Sequence, residues 1–144
     1  MPHEIAVVVQ HVGILRNGGM MTSTESGGVP ADGVLRTHQQ GGALVVEMSG
    51  DVDVATVNPI ANELIGLVAR RPRAVVVDLQ AVTHLGSIGV TLLLDVQQYA
   101  DELCIPFATT AANRAVLRPL RLVGADRVLR PHATLPGAVS AVHG

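Results

Sequence analysis

A chain of 144 residues, 48% hydrophobic and 15% charged, fits one compact domain with a real core and argues against two. The formal net charge is −2, and the ten basic residues are all arginines spread along the chain, with only Arg70, Arg71 and Arg73 close together. That argues against a basic footprint for nucleic acid. Cys104 is the only cysteine, which excludes an internal disulfide and makes a cytoplasmic location the expectation.

The apolar run from Ile5 to Val9 is short, follows His3 and Glu4 and lacks a basic flank, so neither a signal peptide nor membrane insertion is expected from it. Asn17-Gly18-Gly19 and the stretch from Thr22 to Pro30 have a linker's composition. Residues 1–32 therefore read as a flexible N-terminal extension and residues 33–144 as the folded domain, with Met20 and Met21 as alternative starts just ahead of the linker.

From Val34 the pattern becomes regular. Val34 to Gln39 and Leu44 to Met48 predict two strands of a hairpin across Gly41-Gly42. Val57, Ile60 or Ala61, Leu64 and Val68 recur at helical spacing, with Asn58-Pro59 near the start and Pro72 beyond the end. Ala74 to Leu79 is continuous, apolar and β-branched, as expected of a central strand covered on both faces. A helix is predicted from Ser87 to about Leu103, with Leu92, Val96, Tyr99 and Leu103 facing the sheet and Thr91, Asp95, Gln98 and Glu102 on a polar stripe.

Ile105 to Thr109 reads as a further strand. Asn113 caps a helix that ends before Gly124 and that Pro119 shortens or kinks. Arg127 to Leu129 reads as a last short strand, and Thr134 caps a terminal helix containing Gly137. These elements sum to an α/β domain with a mixed sheet of about five strands and about four helices.

Few side chains carry chemistry. The six histidines never fall at i,i+4 spacing, and neither a CxxC nor an HExxH pattern exists, so no metal or cofactor is expected. Gly86-Ser87-Ile88-Gly89 echoes a nucleophile elbow, but it is one residue short of that motif and seven residues, Gln80 to Gly86, separate it from the predicted strand. His84 is the one histidine near Ser87, without an orienting partner. Asp51 and Asp53 share a face of an extended segment, where aspartates favour turn and helix-capping roles. Asp78 reads as a loop-anchoring acceptor. No catalytic residue is assigned and the chain is not expected to be an enzyme.

Ser87 opens a helix at its positively polarised end, as an ordinary N-cap or as a site where phosphate is tolerated, two compatible roles. Val90, Thr91 and Leu94 follow it at i+3, i+4 and i+7, on its side of the helix. Leu94 is apolar on a polar flank, and either packs under a loop or the Asn113 helix or meets a partner.

The strand, the Ser49-Gly50-Asp51-Val52-Asp53 turn, the helix, the buried strand ending in Asp78-Leu79, the Ser87-Ile88-Gly89 helix start and Gly124 together resemble the STAS domain family of anti-sigma factor antagonists, over about residues 34–142. The resemblance implies a single STAS domain that binds an anti-sigma factor kinase of the histidine-kinase-like ATPase type and so frees a sigma factor. It implies phosphorylation at Ser87, reversal by a phosphatase, and a partner-binding edge of Asp53, Gly86, Ser87, Ile88, Val90, Thr91 and Leu94. The chain departs from the family at Gly86, usually aspartate, and at Ile88, usually serine or threonine. A STAS subunit of another complex, in lipid transport or stress sensing and without a working phospho-switch, is the alternative.

Overall fold

The computed structural model describes residues 34–143; the expectations for residues 1–32 lie outside them. Two strands open the fold, β1 (Val34–Gln40) and β2 (Ala43–Val52), paired antiparallel from Val34↔Ser49 to Gln40↔Ala43. The turn between them is Gly41-Gly42, with φ of 57° and 83°. Two consecutive positive φ values match the twist of flanking strands and strain any residue with a side chain, which is why the diglycine marks the hairpin.

β2 leads through α1 (Val57–Ala69) to β3 (Val75–Leu85), then through α2 (Ser87–Glu102) to β4 (Phe107–Thr110). β2, β3 and β4 are parallel, so each connection crosses back over the sheet by a helix, and the sheet order is β1-β2-β3-β4. Three helices follow: α3 (Arg114–Leu122), α4 (Ala125–Leu129) and α5 (Leu135–His143).

Alternation along the strands divides the core in two. Val46, Met48, Val75, Val77 and Leu79 meet the apolar stripes of α1 to α4, including Ile60, Leu64, Leu92, Val96, Val116 and Leu120. On the opposite face Ala43, Val45, Val76 and Ala108 meet Ala138, Val139 and Val142 of α5. Small residues on both sides let that last helix lie close to the sheet.

Several expectations need correction. Arg127 to Leu129 is not a strand but part of α4, so the sheet has four strands and the described residues form five helices. Among the described residues, the chain beyond α4 makes strand-type pairing with the sheet edge only at an isolated bridge, Thr110↔His132. β4 starts at Phe107, not Ile105, and Pro119 sits inside α3 without ending it. Asp95, assigned to a polar stripe, is 1% exposed.

The largest difference lies in β3, which continues six residues past Leu79 to Leu85. Its pairing with β2 slips between Glu47 and Ser49 and again between Gly50 and Asp51, so β3 carries two extra residues. Such bulges break the period-two alternation by which strands are recognised.

Leu64 is fully buried at the centre of the larger core. Leu64→Ala is expected to lower unfolding free energy by about 2–5 kcal/mol, measured by denaturant titration.

Candidate functional site

The parallel ends of β2 and β3 place two turns side by side. Val52 pairs with Leu85, and the next amide of β3's exit, that of Gly86, donates to the Val52 carbonyl at 2.8 Å. The turn after β2 is therefore held against the start of α2.

The first of these turns is knitted by Asp51, Asp53 and Thr56. The Thr56 hydroxyl donates to the Asp51 carbonyl at 2.8 Å and accepts from the Asp53 amide at 3.0 Å. Asp53 Oδ1 accepts from the Ala55 amide at 3.0 Å, and its carbonyl accepts the Val57 amide at 2.8 Å, starting α1. Asp51 Oδ1 accepts from the Thr83 hydroxyl at 2.7 Å. The two carboxylates serve separate bonds: Asp53 has the turn role expected of it, Asp51 instead ties β2 to β3, and neither caps α1, whose N-cap is Thr56. Asp78 likewise anchors a bulge, its Oδ1 accepting from the Gln80 amide at 3.1 Å.

The second turn is one residue long. Gly86 is the N-cap of α2, extended at φ −78° and ψ 171°, and its carbonyl accepts from the amides of Gly89 and Val90. Ser87 is thus the first helical residue and not the cap, and its exposed side chain stands where the helix's leading amides have no intrahelical acceptor. The sharp strand-to-helix exit removes one argument against a nucleophile elbow, since β3 reaches Leu85; the short Gly-to-Ser spacing still departs from that motif. His84, exposed on β3, pairs through its backbone with Asp51. Among the described residues no three His, Cys, Asp or Glu side chains gather as metal ligands would.

Gly89 fixes how closely the helix can sit. A Cβ there would lie 2.7 Å from Leu85 Cδ1 and 2.9 Å from Val52 Cγ1, distances that real contacts do not reach. At Gly86 the nearest atom to an added Cβ would be the Val52 carbonyl oxygen at 3.4 Å, an ordinary contact, followed by Asp53 Cα at 3.6 Å. Gly86 and Asp53 are therefore neighbours across the two turns.

The other expected site residues divide. Thr91 is exposed, its hydroxyl donating to the Ser87 carbonyl at 3.2 Å. Ile88 is half-buried against the main core, and Val90, 4% exposed, belongs to that core and does not face a partner. Leu94 is half-buried and lines a groove with Ile105, Phe107 and Val128, between α2 and the region of β4 and α4 and not beneath the Asn113 helix. Sequence reasoning missed Val54, whose side chain is 77% exposed at the tip of the Asp53 turn, and Val52, which walls Gly89. It also missed Thr56, whose three-residue spacing from Asp53 was the available signal.

Residues 35–138 match the STAS domain family. The chain belongs to that family. The anti-sigma-F factor antagonist RsfB of Mycobacterium tuberculosis is 31% identical over 103 residues, which are 72% of this chain and 84% of that protein. Among solved STAS-like structures, an anti-sigma factor antagonist from Mycobacterium paratuberculosis superposes with a TM-score of 0.72 at 29% identity, covering 81% of this chain and 98% of that one. The anti-sigma factor antagonist SpoIIAA in its unphosphorylated form shares the fold, with a TM-score of 0.64 at 15% identity over 77% of this chain and 97% of that one. The STAS architecture thus covers the whole site built from β2, β3 and α2.

The two glycines of this STAS domain respond differently to substitution. Gly89→Ala is expected to lower stability by about 1–3 kcal/mol through overpacking. Gly86→Asp, which supplies a capping oxygen to α2, is expected to raise it by a few tenths of a kcal/mol or leave it unchanged. Thermal unfolding of both variants checks the pair.

Proposed function

We propose that the protein is an anti-sigma factor antagonist that acts by binding. Its dephosphorylated form docks an anti-sigma factor of the histidine-kinase-like ATPase type, which frees a sigma factor for transcription. The observation that carries this reading is the exposed Ser87 side chain on the first turn of α2, held beside the Asp53 turn by the Gly86 to Val52 hydrogen bond. The names of the mycobacterial relatives support it.

The docking edge consists of Asp53, Val54, Gly86, Ser87 and Thr91, with Leu94 at its far end. Val54 supplies the exposed apolar contact, and Ser87 and Ile88, ahead of the first intrahelical bond from Gly89, supply the leading amides of α2. The protein performs no chemistry of its own. Phosphate arrives from the partner's kinase activity at Ser87, a phosphatase removes it, and both reactions belong to a cytoplasmic setting.

A phosphate on Ser87 adds about −1.5 to −2 charges at neutral pH, and the leading amides and dipole of α2 accommodate it without unfolding the helix. The same charge lies in the edge that a partner must desolvate, next to the Asp53 turn. Taking that charge out of water on docking is costly, so the modified form releases its partner. Gly86 weakens the case for the usual kinase, because it leaves no carboxylate beside the hydroxyl. That one feature favours the second reading, a STAS subunit of a lipid-transport or stress-sensing assembly that binds through the same edge without the switch.

Ser87→Asp is expected to weaken anti-sigma factor binding by about ten-fold or more, while Ser87→Ala binds within a few-fold of wild type and takes up no phosphate from the kinase and ATP. Calorimetry and phosphosite mapping on purified proteins measure both, and equal binding by the two variants selects the second reading. Val54→Asp, at an exposed position, is expected to lower affinity by a similar factor with an unchanged melting temperature.

A further inference from the structure

Four large aliphatic side chains among the described residues are more than half exposed. Val54 belongs to the Asp53 turn; Leu122 at 76% and Val123 at 66% follow one another at the end of α3, and Val128 at 55% lies on α4 beside the groove that holds Leu94. The same stretch, residues 114–130, holds five of the chain's ten arginines and one of its twelve carboxylates, Asp126. These arginines look scattered in sequence. Helical spacing gathers them.

Arg114, Arg118 and Arg121 recur at i, i+4 and i+7 on the exposed face of α3, opposite the buried Val116 and Leu120. They line one hollow of about 380 Å³ together with Leu122. Arg121 also borders a second hollow with Asp126 and Arg130. Among the described residues none of the five guanidinium groups is ion-paired.

We propose that this corner of α3 and α4 is a peripheral binding surface for an anionic phospholipid bilayer. The guanidinium groups pair with lipid phosphates, and Leu122 and Val123, the most protruding of the three aliphatic side chains, enter the shallow boundary between headgroups and acyl chains. No described helix is long and apolar enough to cross a membrane, so the contact is adsorption to the surface. A soluble phosphate would engage the arginine hollow and leave the protruding aliphatics without a role. An acidic protein would have to offer cavities to receive them, whereas a bilayer interface accepts protruding apolar side chains flanked by cations without any matching shape. The three arginines of α3, Leu122 and Val123 lie outside the Asp53 and Ser87 edge; only Val128 borders it, through the groove that holds Leu94.

The test is co-sedimentation of the full chain with vesicles of phosphatidylglycerol and phosphatidylcholine, against vesicles of phosphatidylcholine alone. The expected result is partitioning to the anionic vesicles only, weakened by added salt. The R114Q/R118Q/R121Q variant changes exposed positions to a good helix former, and its fold is checked by circular dichroism. It is expected to partition at least about ten-fold less well. Leu122→Ser combined with Val123→Ser is expected to reduce partitioning at unchanged charge, and Ser87→Asp to leave it unaltered. Failure of the wild-type chain to bind anionic vesicles, equal binding to both vesicle types, or wild-type partitioning of the arginine variant would overturn the proposal. Loss in the arginine variant with none in the serine pair would also overturn it, leaving a simple anion site.

Discussion

Everything at the edge where α1 and α2 begin hangs on how closely α2 can seat against the end of β2. Val52 makes that contact twice: its carbonyl accepts the Gly86 amide, and its side chain bounds the space that Gly89 leaves empty. Parallel pairing carries β2 and β3 to the same level, so the turn that starts α1 and the turn that starts α2 become neighbours. The core beneath, with Leu85, Val90 and Leu93 all buried, presses the helix down onto that seat.

The two turns are stiffened by different chemistry. Around Asp53 the backbone is held by hydrogen bonds to the Thr56 hydroxyl and the Asp53 carboxylate, with the neighbouring Asp51 carboxylate tied to Thr83, a compact polar network on a short loop. At Gly86 no side chain caps the helix, and the backbone alone makes the turn. One side of the edge is thus fixed by many small bonds. The other presents the leading amides of Ser87 and Ile88 beside an exposed hydroxyl.

Much of this was legible in the sequence because local rules agreed with the global fold. The diglycine hairpin, the helix stripe of Val57, Ile60, Leu64 and Val68, the Asn113 cap and the capping role of Thr134 all appear where composition placed them. The motifs of the Asp53 turn and the Ser87 helix start marked the two turns that the ends of β2 and β3 bring together. What escaped notice depended on tertiary context. Val90 and Asp95 sit on a helix whose flanks are covered by more than one neighbour, so a single apolar stripe underestimated its burial. Arg127 to Leu129 read as a strand because five residues are too few to show helical periodicity. The cation surface of α3 escaped because spacing along a helix face is invisible in a count of neighbouring residues.

The bulged half of β3 has a consequence for how this domain can change over descent. Between Leu79 and Gly86 the chain resembles a loop in composition, and loops ordinarily absorb insertions and deletions at little cost. Here each residue is spent on register: the surplus in β3 brings Leu85 opposite Val52 with its side chain inward. Adding or losing one residue would turn Leu85 to the solvent face and shift Gly86 off the Val52 carbonyl. The segment therefore works as a ruler of fixed length, free to vary in which side chains it carries but not in how many.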